Sequence, residues 1–489
     1  MAEIITNLLT RQIDIQADQT PMSPKISHAA LLVASQVAKW SLRLIFVLVI
    51  ARAMGPEKFG TYALIFGMVE FLAIASGAGY ADYLTREAAK DERAGWGLAL
   101  QLTLLRVAIG IPVAVIEIGI LSIMRYPHAV LAGTAWMALT IIPRSLSEAV
   151  QGVLRGVHRY GSFLAVELTL GGGLVAGAVV VVLRHGGLSL AIASELVAVG
   201  AAGVVGLAFL LRFRTKEQIW LSGWQLVRRG TIFNAYSFIA TLYDRFDVVL
   251  LSKLAGDYAT GVYAVAYRAL GMTQILPYGL LYSLLPWLSR NPQSGEGRAR
   301  LEKALGLLLS VAFVVVLATM VFAGPAVQLL LGPRYAESAA ALKILIWAVI
   351  LRYANYAMNT ALLAAGRERV FIVTSLVCLT VNIIGNLVFI PMYSWRAAAL
   401  VTLTTELILL IQNLYWIQRA IGVVALPWTI GRTSIVFMAL LVGSFAGKYF
   451  RSPQVVGAAC LAMFAVYLFH SGIITEFTSI WRAERSPAG

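Results

Sequence analysis

Apolar residues in this chain come in blocks of about twenty, separated by short polar stretches. Residues 29–51, AALLVASQVAKWSLRLIFVLVIA, set the pattern. At 1.5 Å per residue such a block crosses a hydrocarbon core of about 30 Å. Comparable blocks recur to the end of the chain. They predict spans at 29–53, 59–84, 95–124, 128–151, 161–183, 187–211, 231–254, 259–288, 304–331, 337–364, 370–391, 396–418, 428–447 and 454–477. Lipid offers a bare peptide group no partner, so each block is predicted to be a helix that satisfies its own backbone. The fold class is an all-α polytopic membrane protein with about 14 transmembrane helices.

Composition agrees with this pattern. Hydrophobic residues make up 59 % and charged residues 13 %, too few charges to cover a soluble surface of this size. Residues 1–26 are mixed and polar, with no apolar core followed by a small-residue cleavage site. The opening MAEIITNLLTRQIDI is mildly amphipathic and is open to two readings, a helix on the membrane surface or a disordered tail. The net charge of +15 does not indicate nucleic acid, because Lys and Arg are spread over helix ends and no basic run is interleaved with aromatics. With both termini on one side, that side collects more than twice the loop Lys and Arg of the other, which makes it the cytoplasm. The largest break is 212–230, where Arg212, Arg214, Lys216, Arg228 and Arg229 surround Trp220 and Trp224. It fits an amphipathic basic linker at the cytoplasmic interface between two halves.

The halves repeat. GPEKFGTYAL at 55–64 and GDYATGVYAV at 256–265 share Gly55/Gly256, Gly60/Gly261, Tyr62/Tyr263 and Ala63/Ala264 at one constant offset. Each copy falls between the first two helices of its half, on the same side, so the repeat is parallel. Internal repeats of this kind are typical of transporters that rock two bundles around a central site.

At these residues the chain resembles a known family. ARAMGPEKFGTYAL, the stretch 247–290 beginning DVVLLSKLAGDYATGVYAVAYRALGMTQILPYG, GPRYAESAAALKIL at 332–345 and NIIGNLVFIPMYSWRAAAL at 382–400 look, in that order and spacing, like the polysaccharide (Wzx or O-antigen type) flippases. These belong to the multidrug/oligosaccharidyl-lipid/polysaccharide exporter (MOP) superfamily. The resemblance covers roughly residues 28–425. The family usually has Gly-hydrophobic-Gly near residue 394, where this chain has Tyr393, Ser394, Trp395 and Arg396. That departure bears on subfamily rather than fold. The resemblance implies two pseudo-symmetric six-helix bundles plus two C-terminal helices. The divisions are then 1–28, an N-terminal cytoplasmic or interfacial segment; 29–211, an N-lobe; 212–230, the linker; 231–418, a C-lobe; and 419–489, the extra helices and tail. It also implies alternating access in the cytoplasmic (inner) membrane, with a polyprenyl-diphosphate-linked oligosaccharide as cargo and polysaccharide polymerase and glycosyltransferases as partners.

Ionisable groups deep in a membrane are costly and therefore face a cavity or a partner. Gln36, Lys39 and Arg43 share one face of the first helix. Two cations on one face suit an anionic ligand such as a diphosphate; the alternatives are snorkelling or pairing with an acid on a neighbouring helix. Arg245 in the seventh helix and Arg268 in the eighth are the second-half candidates. Arg245 also has a local reading, neutralising Asp244 and Asp247. Arg144 and Glu148 are four apart and can neutralise each other, while Arg106 and Glu117 share a face. Glu70, Glu117, Glu167, Glu195, Asp247 and Glu406 are spare membrane acids. Glu70, Asp244 and Asp247 are the candidates for coupling to H+ or Na+, and Glu70 comes first because the family's second helix lines the cavity. Asn382 and Asn386 read as interhelical hydrogen bonders.

Other chemistry finds no support. The five histidines are scattered, Cys378 and Cys460 lack metal spacing, and neither a phosphate loop nor a nucleophile elbow occurs. No cofactor and no catalytic residue is therefore assigned. A membrane polymerase or ligase would need paired carboxylates on a sizeable outer loop, and the outer loops are short. A cation-coupled drug exporter is disfavoured because Lys39, Arg43 and Arg268 would repel cationic compounds. A lipid II flippase would use the same cations as the leading reading.

Overall fold

A computed structural model describes residues 23–77, 79–213, 222–274, 277, 280, 281, 288, 295–422, 428–446 and 453–472. Among them are fifteen α-helices. The N-lobe holds α1 (Ser23–Ala75), α2 (Tyr80–Lys90), α3 (Glu92–Ile123), α4 (His128–Ala138), α5 (Ile141–Gly156), α6 (Tyr160–Leu183) and α7 (Leu188–Phe213). The C-lobe holds α8 (Gly223–Met272), α9 (Gly295–Leu331), a 3-10 turn (Pro333–Tyr335), α10 (Ala336–Leu345), α11 (Ala348–Ala364), α12 (Glu368–Tyr393) and α13 (Trp395–Ala420). Two further helices, α14 (Trp428–Ala446) and α15 (Pro453–His470), follow and pack on α9.

The chain is a multi-pass helical membrane protein, as its apolar blocks predict. Seven helices are long and apolar enough to span alone, and two bent pairs pass together. Three predicted spans are internally broken. The 59–84 block is α1 up to Ala75 and α2 from Tyr80, the 128–151 block is α4 and α5 bent by 41°, and the 337–364 block is α10 and α11. The linker expectation falls partly outside the described residues, which omit 214–221. From Gly223 onward the chain is already the first turn of α8, closed by a capping box between Ser222 and Gln225. Leu226 is buried in the N-lobe core among Tyr80, Tyr83 and Leu84. Residues 1–22 and the tail beyond 472 also lie outside the described residues.

The repeat has a structural counterpart. α1 breaks at Gly55 (φ 77, ψ 169) and α8 at Gly256 (φ 83, ψ 174), a conformation that is cheap only without a Cβ. Pro56 then restarts its helix where a missing N–H costs nothing. The second arms of α1 and α8 cross at the other matched glycine. A Cβ on Gly60 would lie 1.8 Å from the Asp257 carbonyl oxygen, and one on Gly261 would lie 1.8 Å from that of Pro56. Asp257 and Pro56 are themselves equivalent in the repeat, so the contact is reciprocal, as about a two-fold axis.

Around this crossing the lobes exchange further pairs. Arg52 of α1 donates to the carbonyls of Leu329 and Leu330 at the end of α9, at 2.6 and 3.2 Å. Its repeat partner Lys253 donates to the carbonyl of Met124 at the end of α3. Each cation thus satisfies orphan carbonyls at a helix C-terminus of the opposite lobe. Tyr335 Oη donates to the Ala51 carbonyl at 2.9 Å, and Tyr126 Oη to that of Val249 at 3.5 Å. Thr61 Oγ1 reaches Asp257 Oδ2 at 2.7 Å. Val249, Ala264, Val265, Val327 and Leu331 complete the joint by entering the core built by Phe46, Ile50, Phe59 and Leu64.

Gly60→Ala must push two backbones apart and is expected to cost about 1–3 kcal/mol or more. Gly119, whose Cβ would meet nothing within 4 Å, serves as control. Thermal unfolding of the purified variants tests this: equal midpoints for the two alanines would contradict the crossing. At the departure near 394, Ser394 takes φ 54 and ψ −138, a strained choice for a residue with a Cβ. Ser394→Gly is therefore expected to raise stability by about 1 kcal/mol, seen as a higher midpoint in the same assay.

Candidate functional site

Just beneath the glycine crossing a cavity opens between the lobes. Val47, Phe59, Tyr62, Ala63 and Gly67 of α1 line one wall; Arg245, Val248, Ala264, Tyr267 and Arg268 of α8 line the other. The walls are equivalent in the repeat: Val47 answers Val248, Ala63 answers Ala264, and Gly67 answers Arg268. The charge is one-sided. Arg245 and Arg268 are partly buried, and among the described residues no carboxylate comes within 4.0 Å of either. Each is a like charge to the other, and Arg43 adds a third, with Glu70 a compensating acid. The Arg268 guanidinium rests over Phe66 at 4.7 Å from its centroid, and Arg43 of the opposite lobe lies over the same ring at 4.4 Å.

The first-helix candidates are placed differently. Lys39 Nζ lies 3.3 Å from Glu167 Oε1 of α6, with the Lys side chain 48 % exposed. Arg43 Nη1 lies 2.7 Å from Glu195 Oε1 of α7, and Tyr62 Oη donates to the same carboxylate. Gln36 is partly exposed on α1, on the same face. The pairing alternative for Lys39 and Arg43 is therefore the one present, and neither side chain lines the cavity beside Arg245 and Arg268.

A further group of N-lobe charges closes on itself. Glu70 Oε1 takes Arg144 Nη1 at 2.8 Å, Arg144 Nε reaches Glu148 at 2.8 Å, and Arg106 Nη2 reaches Glu148 Oε2 at 2.8 Å. The expected Arg144–Glu148 pair is thus the middle of a four-residue chain, and Glu70 is committed to it. Glu117 is buried away from Arg106, its Oε2 without a hydrogen-bond partner. Asp244 accepts from Tyr267 Oη at 3.1 Å. Asp247, 2 % exposed, accepts from its neighbour's amide at 2.7 Å and from Tyr263 Oη, which also meets Thr402. Arg245 does not pair with either acid. Asn386 Nδ2 donates to Asn382 Oδ1 at 2.9 Å, so these two bond along α12 rather than between helices: a spacing of four puts them within each other's reach. Cys378 and Cys460 are free and buried.

One buried pair escaped the sequence reading. Arg352 Nε meets Glu406 Oε1 at 2.7 Å, both side chains 4 % exposed. Arg352 Nη2 donates to Tyr267 Oη at 3.1 Å, and Asn355 Nδ2 donates to Glu406 at 3.1 Å. Through Tyr267 this network reaches the cavity wall. A second cation, after Lys343, inside the 337–364 apolar block was the available signal.

Comparison with known proteins decides the family. Residues 27–292 match the family described as polysaccharide biosynthesis protein. The chain belongs to that family. Residues 235–388 also match the MatE family. Among curated proteins, the chain is similar to a probable flippase, AglR, of Haloferax volcanii. It is 24 % identical over 399 residues, covering 78 % of this chain and 80 % of that one. The capsular polysaccharide biosynthesis protein CapF of Staphylococcus aureus is 25 % identical over 187 residues, 37 % of this chain and 47 % of CapF, so this chain spans about half the length of that relative. The fold is that of solved MOP-superfamily transporters. A lipid II flippase MurJ in an inward closed conformation superposes with TM-score 0.70 at 12 % identity, over 90 % of this chain and all of that one. An inward-facing multidrug resistance MATE transporter gives 0.63 at 13 %, over 79 % and 97 %.

Glu406→Met leaves Arg352 buried without its carboxylate and is expected to cost about 3–5 kcal/mol. Arg352→Met with Glu406→Met removes both charges and is expected to recover much of that loss. A double-mutant cycle on unfolding in detergent measures both; a double variant as unstable as the sum of the singles would show that the two charges do not act as a pair.

Proposed function

We propose that this protein is a flippase that carries a polyprenyl-diphosphate-linked oligosaccharide across the cytoplasmic membrane by alternating access. The observation that carries this reading is the pair of guanidiniums, Arg245 and Arg268, in the inter-lobe cavity with no carboxylate against them. Unpaired cations in a low-dielectric cavity repel each other, and an anion with several acceptor oxygens relieves both at once. A diphosphate has the charge and the oxygens to do so. Lys39 and Arg43 form a cationic stripe already met by Glu167 and Glu195, so their share in binding requires the phosphate to compete with those carboxylates. Gln36, beside them, is a neutral donor for sugar or phosphate oxygens.

The sugar would occupy the polar space between the lobes, while the polyprenyl chain stays in lipid, since it cannot favourably enter a hydrated cavity. Rocking would make and break the Gly60–Gly261 crossing and the Arg52 and Lys253 contacts around it as that end closes and opens. Positive-inside counting puts both termini in the cytoplasm, and so puts the crossing on the far side. Glycosyltransferases would supply the substrate and a polymerase would consume the product. If an ion gradient drives the cycle, Asp247 is better placed than Glu70: it is 2 % exposed with no cation within 4.0 Å among the described residues, whereas Glu70 is held by Arg144.

Proteoliposomes containing a polyprenyl-diphosphate oligosaccharide labelled on the sugar test the reading. The intact chain is expected to move label between leaflets. Arg245→Ala with Arg268→Ala is expected to lose about a hundredfold or more in rate, and Lys39→Ala with Arg43→Ala to lose less. Equal transport by the Arg245/Arg268 variant would remove the site. Transport of lipid II in place of the oligosaccharide lipid would keep the diphosphate chemistry and change the cargo.

A further inference from the structure

Buried glycines in this fold are mostly places of close approach. A Cβ on Gly133 would lie 2.5 Å from Ile65 Cδ1, and one on Gly203 would lie 2.4 Å from Pro143 Cβ. Gly67 is buried too, yet a Cβ there would meet nothing within 4 Å. It lies on the second arm of α1, on the cavity wall opposite the two arginines. No packing contact requires a glycine here, and glycine is a poor residue for a helix interior. The absent side chain leaves open space inside the protein.

The repeat sharpens this. The position equivalent to Gly67 is Arg268, so one wall carries a long cation where the other carries no side chain at all. Beside Gly67, Phe59 and Tyr62 present ring surface, with their centroids 5.9 Å apart, and Val47 and Ala63 are small and apolar. The cavity is therefore polarised: anion recognition on the α8 wall, room and aromatic surface on the α1 wall. In this conformation the space measures about 20 Å³, room for about one water, so a sugar could enter only once the lobes have parted.

We propose that Gly67 is a specificity-determining position: its missing side chain makes the space for the group attached to the arginine-held phosphate, the first sugar of the cargo. This rests on the diphosphate reading above. Bulk at position 67 should then exclude a sugar-bearing phosphate while leaving a bare phosphate able to reach Arg245 and Arg268.

The test uses the full chain in nanodiscs, with Gly67→Ala and Gly67→Leu, and two probes: inorganic diphosphate and the polyprenyl-diphosphate oligosaccharide. Leucine is expected to weaken the sugar-bearing probe by about tenfold or more, alanine by less, with inorganic diphosphate unchanged within about twofold. For alanine a thermal midpoint no lower than that of the intact chain is expected, since it is a better helix former and its Cβ has room. Sugar-lipid binding by Gly67→Leu equal to that of the intact chain would overturn the proposal, as would an equal loss for both probes, which would place phosphate itself in that space. Failure of the intact chain to bind diphosphate would instead bring down the anion reading, and this proposal with it. The unsubstituted control alone reports that outcome.

Discussion

Gly60 and Gly261 let two helices approach until the backbone of each touches the other, and the rest of the architecture follows from that approach. A Cβ at either position would fall on a carbonyl of the opposite copy. The second arms of α1 and α8 are therefore held on a common two-fold relation. The equivalent cations Arg52 and Lys253 reach helix ends of the opposite lobe, and Tyr335 and Tyr126 reach opposite α1 and α8 carbonyls. None of these contacts is strong alone in a place open to water. Set around a dry joint of Phe46, Ile50, Phe59 and Val265, they add direction to packing. A joint made of backbone approach and helix-end carbonyls can open without leaving a charge buried, which suits the rocking motion proposed for this chain.

The charges obey a second constraint. Leaving an ion unpaired in a low-dielectric interior costs several kcal/mol, so interior ions find partners. In the N-lobe they do so in tight groups: Arg43 with Glu195, Lys39 with Glu167, and Glu70 with Arg144, Glu148 and Arg106. In the C-lobe Arg352 and Glu406 do the same. These pairs tie helices within one lobe and let each lobe keep its shape. Arg245 and Arg268 depart from the rule, and both face the space between the lobes. With no carboxylate within 4.0 Å among the described residues, and Glu70 already held by Arg144, the two keep part of the repulsion that a ligand would relieve, and this, more than fold, argues for the proposed anionic cargo.

How much of this was legible in the chain follows from periodicity and distance. The spans could be read because lipid forces every apolar block into a helix. The repeat could be read because a positive-φ glycine and a close-packed glycine each tolerate no substitute, so both survive at constant spacing. The partners of the first-helix cations could not be read. Lys39 and Glu167 are 128 positions apart and Arg43 and Glu195 are 152 apart, and a helical wheel says which face a residue takes, not which helix that face meets. Asn382 and Asn386 went the other way: their spacing of four already allowed the bond within α12 that forms. Arg352 was visible as a cation in an apolar block, but its role depends on Glu406 and Tyr267, each more than fifty positions away.

The repeat explains the frame of the cavity, and its violations explain the chemistry. Residues that shape the joint are kept between copies: Gly55 and Gly256, Gly60 and Gly261, Val47 and Val248, Ala63 and Ala264, with a cation at both Arg52 and Lys253. The charged positions at the cavity and around it differ. Leu44 stands where the second copy has Arg245, Gly67 where it has Arg268, Arg43 where it has Asp244, and Glu70 where it has Gly271. A symmetric cavity with an arginine at all four positions would place four like charges around one small space, and mutual repulsion would drive the lobes apart. Putting two free cations on one wall and an open, aromatic surface on the other avoids that repulsion. It would also give the proposed ligand, charged at one end and carbohydrate beyond it, a single way to lie.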